Sequence, residues 1–271
     1  MGKNAFNQVA NDNGPNPDRE LLRAVEGGDL DKAKFWLDAG ASIDARHTNN
    51  DTPLIVATRE AYTDIVKYLL AREPKAADVA LSNNEGATPL HVAARDVATH
   101  IAYTLIKASA PVDAQDETGA TPAFYGAQTG NFLLLKKLWE EKADLSLADN
   151  NGTTPMVQAA KFKQPREVEF LLDKGVAINT PDNAGMTGLM HAAAQGDAVM
   201  ICTLLARGAN AALKNNEGQT AQDLARDAGQ PALAAQLEEA VSSVYKAFHQ
   251  GSDATVAAMR PLSLKPAGER P

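Results

Sequence analysis

Asn83-Asn84-Glu85-Gly86-Ala87-Thr88-Pro89-Leu90-His91-Val92-Ala93-Ala94 is the stretch whose reading decides the fold. It spells a turn followed at once by a helix start. Asn-Glu-Gly is turn chemistry, since glycine reaches left-handed backbone at no steric cost. The Thr88 hydroxyl can cap N–H groups left open in the first helical turn. Proline suits the first helical position because its missing N–H had no partner there. The alanines that follow make a slim helix that a neighbour can approach closely.

Working outward, the Thr-Pro pair recurs at Thr52-Pro53, Thr88-Pro89, Thr121-Pro122 and Thr154-Pro155, with degenerate copies at Thr187-Gly188 and Thr220-Ala221. The threonines at 52, 88, 121, 154, 187 and 220 are separated by one step of 36 and four of 33. Gly86, Gly119, Gly152, Gly185 and Gly218 each stand two residues before a threonine, and Asn50 holds that place in the first copy. Five residues after it stand Ala57, Ala93, Gly126, Ala159, Ala192 and Ala225. Apolar pairs follow 17 and 18 after it: Leu69-Leu70, Leu105-Ile106, Leu138-Trp139, Leu171-Leu172 and Leu204-Leu205. Counting 33 back from Thr52 reaches Arg19, which places Ala24 in the small slot and Trp36-Leu37 in the apolar pair. A second helix with apolar i, i+1, i+4, i+5 spacing, as in Ile65, Val66, Leu69 and Leu70, completes each unit. It ends in Gly-Ala or an equivalent, as at Gly40-Ala41, Gly175-Val176 and Gly208-Ala209, where glycine takes a left-handed C-cap cheaply.

A period of 33 with Asn/Asp-x-x-Gly-x-Thr-Pro-Leu-His-x-Ala-Ala resembles the ankyrin repeat. The resemblance implies an all-α solenoid of helix-turn-helix units with β-turn fingers. Seven units are expected, at about 18–46, 47–82, 83–115, 116–148, 149–181, 182–214 and 215–248, forming one repeat domain over 18–248. Repeat two carries three extra residues within Glu73 to Ala80, which predicts a longer finger connection. Charged residues in the first unit and Glu238-Glu239 in the last are expected to cap the stack. Residues 1–17 and 249–271 have tail composition. A helical extension is expected around Val241–Phe248, then a flexible, slightly basic end with Arg260, Lys265 and Arg270 against Asp253 and Glu269.

The chain has 271 residues and a formal net charge of -8, which argues against nucleic acid and anionic membranes as partners. The single cysteine, Cys202, excludes an internal disulfide within one chain and disfavours a Cys-based zinc site. No apolar run reaches the roughly 18 residues of a membrane span, and the first residues lack a signal-peptide core. A cytoplasmic location and a free monomer are therefore expected.

No phosphate-binding glycine loop or Gly-x-Ser-x-Gly elbow is present, and no His-x-x-x-His pair. Neither an enzyme nor a cofactor or metal site is expected. His91 and His191 both read as structural, because the resemblance implies rings that bind backbone between adjacent fingers. Cys202 has no basic neighbour to activate it. Trp36 and Trp139 fall in apolar slots and read as core.

In this architecture the finger tips and inner-helix ends form one concave face, and the resemblance implies that it binds a protein. Seven and eight residues after each threonine stand Arg59-Glu60, Arg95-Asp96, Gln128-Thr129, Lys161-Phe162, Ala194-Gln195 and Asp227-Ala228. Arg59, Glu60, Arg95, Asp96, Gln128, Lys161, Phe162, Met186 and Gln195 are the expected contact residues. Phe162 is the apolar anchor in a polar ring, with Met186 exposed at a nearby tip. The expected function is noncatalytic recognition by a scaffold, adaptor or inhibitor. The alternatives are a secreted effector, an immunity partner to a toxin, or an enzyme with a site grafted on the repeats. The Ala-rich helices of a compact chain resemble stand-alone bacterial ankyrin proteins.

Overall fold

The computed structural model describes residues 15–249, with side chains through Ser242. Most of the tail expected over 1–17, and nearly all of that over 249–271, lies outside the described residues. Within them are fourteen helices and no strand, numbered α1 to α14 along the chain. The inner row is α1 (Pro17–Glu26), α3 (Pro53–Arg59), α5 (Pro89–Arg95), α7 (Pro122–Thr129), α9 (Pro155–Lys161), α11 (Gly188–Ala194) and α13 (Ala221–Asp227). The outer row is α2 (Leu30–Asp38), α4 (Thr63–Ala71), α6 (Thr99–Lys107), α8 (Phe132–Glu140), α10 (Pro165–Asp173), α12 (Ala198–Ala206) and α14 (Pro231–His249). Each inner helix packs on the outer helix of its own pair and on the inner helix of the next.

Five of the threonines cap as the sequence implies, and the Thr88 hydroxyl lies 2.9 Å from His91 Nδ1. Thr52 Oγ1 accepts from Ile55 N–H at 3.2 Å, Thr121 from Phe124 at 3.2 Å and Thr154 from Val157 at 3.3 Å. Each such cap contributes about 1 kcal/mol. The small slot is needed for packing: Ala57, Ala93, Ala159, Ala192 and Ala225 are fully buried between helix rows. Leu69, Leu105, Leu138, Leu171 and Leu204 fill the core one layer out, all with no exposed surface.

In repeat two the extra residues lie between the end of α4 and the finger, and helix lengths are unchanged. Asp44 holds that loop, accepting from Lys75 Nζ at 2.6 Å and from Asp78 N–H at 3.0 Å. At the C-terminal end α14 is helical through His249, ten residues longer than the outer helices before it. Gln222 Nε2 donates to Glu238 Oε2 at 2.9 Å, giving the last pair a polar outer surface. No helix among the described residues is long and apolar enough to cross a membrane.

The core expectation fails for Trp139, which is 40% exposed. The slot 18 after the threonine lies at the margin of the outer row. Leu138 beside it turns inward, and Lys174 Nζ sits 3.9 Å from the indole centroid. Trp36 is half-buried and packs on the core, edge-on to Phe35 at 5.0 Å.

Candidate protein-binding face

Every finger after the first, where His47 holds the slot, is a turn organised by one Asx residue, beginning with Asn83. Asp116 Oδ1 accepts from Thr118 N–H at 2.9 Å and from Ala120 N–H at 3.1 Å; Asp149, Asp182 and Asn215 repeat the pattern. The finger thereby places its tip beside the inner helix that follows it.

The two histidines differ in what they hold. His91, three after its threonine, is fully buried. Its Nε2–H donates to Ala114 O at 2.9 Å and Ala120 O at 3.1 Å, bridging to the next finger, and Nδ1 accepts from Thr88 N–H at 3.2 Å. Burial pushes its pKa below the ordinary value, so the ring is neutral with the proton on Nε2. His191 stands four after its threonine, one residue later in register. It does not bind an adjacent finger's backbone as expected. Its Nε2 lies 2.8 Å from Asp182 Oδ2 of its own finger. Burial again lowers the pKa, against the pull of the carboxylate. Tyr125 occupies the same slot in repeat four and donates to Asp116 Oδ2 at 2.6 Å. Burial, then this bond to a carboxylate, pushes the phenol up to about 12.

Four of the expected contact residues converge. Arg59, Glu60, Arg95 and Asp96 line one hollow with Glu26, His47, Asp51 and Glu85. Arg59 is committed to the fold on one side: its Nη1 lies 2.8 Å from Asp51 Oδ2, a carboxylate only 4% exposed that also accepts from Asn83 Nδ2 at 2.9 Å. Hydrogen bonding to Asp51 holds the guanidinium pKa up. Arg95 is as exposed as Arg59 but faces an open carboxylate, 3.4 Å from Glu85 Oε2, and lies 5.6 Å from the Tyr125 ring centroid. Glu60 and Asp96, both exposed, form no ion pair among the described residues.

Lys161 lines a second hollow with Phe124, Asp149, Gln158 and Asp182. Phe162, the next residue, ends α9 and is 46% exposed, with neither hollow enclosing it. Gln128 and Gln195 are partly engaged in joining repeats. Gln128 Oε1 accepts from Gln158 Nε2 at 3.0 Å, and Gln195 Nε2 donates to Lys161 O at 3.0 Å. Met186 is not an exposed tip. It is half-buried against the core, its sulfur 3.5 Å from Asn215 Nδ2, because the residue before the capping threonine turns inward under the finger.

Cys202 is half-buried, and burial pushes its thiol pKa up, the wrong direction for a nucleophile. Among the described residues no three His, Cys, Asp or Glu side chains are grouped to hold a metal ion. Tyr125 and Asp116 were missed in the sequence. Their signal is the nine-residue spacing shared with His191 and Asp182.

No curated relative matches the chain significantly. A family model described as ankyrin repeats in three copies matches residues 21–116 and 96–182, and another, ankyrin repeats in many copies, matches residues 171–225. Repeat period, finger geometry and family match agree over most of the length, and the chain belongs to the ankyrin repeat family.

Proposed function

We propose that this chain is a noncatalytic scaffold, adaptor or inhibitor that recognises one partner protein on the concave face of its fingers and inner helices. Ankyrin repeats are generally protein–protein interaction modules. The observation that carries the finer reading is Phe162. It leaves 46% of its surface exposed in a slot held by Glu60, Asp96, Thr129, Gln195 and Ala228 in other repeats. An aromatic ring ringed by polar side chains is the arrangement of an interface anchor sealed from water on docking. The mixed-charge hollow around Arg95, Glu60 and Asp96 lies on the same face and supplies steering charge.

The test is capture of binding proteins on immobilised wild type and on Phe162→Ala, with bound chains identified by mass spectrometry. The reading expects a partner that wild type retains and the variant loses. A partner retained equally by both places recognition elsewhere.

A further inference from the structure

The fingers are joined side to side by one main-chain bond each. Asn84 N–H donates to Asn49 O, Glu117 to Glu85 O, Asn150 to Thr118 O, Asn183 to Asn151 O and Asn216 to Ala184 O, at 2.8 to 3.0 Å. A second series runs beside it. Asn150 Nδ2 donates to Glu117 O, Asn183 Nδ2 to Asn150 O and Asn216 Nδ2 to Asn183 O, at 2.9 to 3.0 Å. The finger glycine makes room for each asparagine. A Cβ at Gly119, Gly152 or Gly185 would fall 2.5 to 2.7 Å from Oδ1 of Asn150, Asn183 or Asn216.

Gly218 holds the same place in the last finger with the same left-handed backbone, φ +78°, yet no atom of the described residues lies within 4 Å of its Cβ position. Glu217 O and Asn216 O are the next acceptors in the two series. Neither takes a hydrogen bond among the described residues, and Glu217 and Gly218 are exposed. The last finger thus repeats the surface on which three earlier fingers each seat an asparagine, with the seat open.

We propose that Asn216–Gly218 is a docking site for an asparagine-bearing turn of a partner protein. The partner's backbone N–H donates to Glu217 O, its side-chain amide donates to Asn216 O, and its side chain lies over Gly218. The chemistry is set by the occupants that the fold already uses at the equivalent seats, and main-chain pairing at an open edge is a general mode of recognition. Among the described residues, a second copy stacked head to tail offers no such turn, because α1 and α2 precede its first described finger. Residues 250–271 of this chain contain no asparagine. The proposal is independent of the concave-face reading and survives its failure.

The test is a titration of the ¹⁵N-labelled full chain, read by amide chemical shifts. One probe is a peptide of the chain's own residues Asn179 to Thr187; the other is the same peptide with Asn183→Ala. The expected result is shifts centred on Asn216 to Gln219, several-fold larger for the asparagine peptide. A Gly218→Asn chain supplies the control. Asn50 already occupies this slot in the first finger at φ 60°. There Asn84 keeps its main-chain bond while its side chain makes no hydrogen bond among the described residues. Gly218→Asn should therefore fold and lose the preference for the asparagine peptide. Equal shifts with both peptides, no shifts, shifts centred elsewhere, or an undiminished preference in Gly218→Asn would each overturn the proposal.

Discussion

His191 Nε2 lies 2.8 Å from Asp182 Oδ2, and these residues occupy the two slots through which Tyr125 ties itself to Asp116. A side chain four after the threonine reaches back to its own finger. One three after the threonine, as His91 is, reaches forward to the next finger. Two histidines that look alike in sequence therefore pin different joints.

The pH dependence of stability follows from His91. Its folded pKa is lowered from an unfolded value of 6.5, first by burial. Below 6.5 the unfolded chain binds a proton that the folded chain resists, so stability rises with pH in that window. The contribution is fully present above 6.5 and is lost as pH falls toward the folded value; His191 shares the direction. Melting temperature should fall between about pH 7 and about pH 5. The slope should be shallower in His91→Asn, whatever that variant's absolute stability. An equal slope in both would assign the acid sensitivity to other groups.

How much of this was legible in the sequence depends on whether one repeat or two define the feature. The Thr-Pro cap, the small slot and the buried leucine 17 after the threonine are local to one repeat, and the 33-residue period exposes them. Trp139 was misjudged because a slot at the margin of a helix face is decided by its neighbour, here Lys174 of the next repeat. Met186 was misjudged because its inward turn is set by Asp182 and Asn215, one from each of two fingers. The asparagine series at 150, 183 and 216 was visible as a spacing, but the hydrogen bonds that give it meaning exist only once fingers stack.

Arg59 and Arg95 should separate in a stability measurement. Arg59 neutralises the buried Asp51, whereas Arg95 faces an exposed Glu85. Removing a partner from a buried charge costs about 1.5–3 kcal/mol or more, and exposed pairs are worth about 0–1 kcal/mol. Denaturant unfolding should find Arg59→Ala clearly destabilised and Arg95→Ala near wild type. Arg95 is therefore the cleaner variant for testing electrostatic steering of the partner.

Thr58 is fully buried in α3, and its hydroxyl has no hydrogen-bond partner among the described residues. The same slot holds Ala94, Ala127, Ala160 and Ala193 in other repeats. Thr58→Val keeps the shape and removes the unsatisfied group, so it should stabilise by about 1 kcal/mol. A melting temperature below wild type would show that the hydroxyl is satisfied in solution.

The finger ladder predicts unequal glycine variants. Gly218→Ala meets no atom of the described residues and costs only left-handed strain, about 1–2 kcal/mol. Gly119→Ala bears the same strain and also sets its Cβ 2.8 Å from the Asn150 nitrogen, adding about 1–3 kcal/mol of overpacking. Equal unfolding free energies for the two would mean that the fingers separate readily.

In the proposed function, Phe162 is a binding anchor that the fold does not need. Its most direct test measures thermal melting and partner affinity side by side for wild type and Phe162→Ala. Truncating a buried interface aromatic costs about 2–4 kcal/mol, roughly 30- to 1000-fold in affinity. The account predicts that loss with a melting temperature close to wild type. A melting temperature many degrees lower, with affinity per folded molecule unchanged, would contradict it and make Phe162 part of the core.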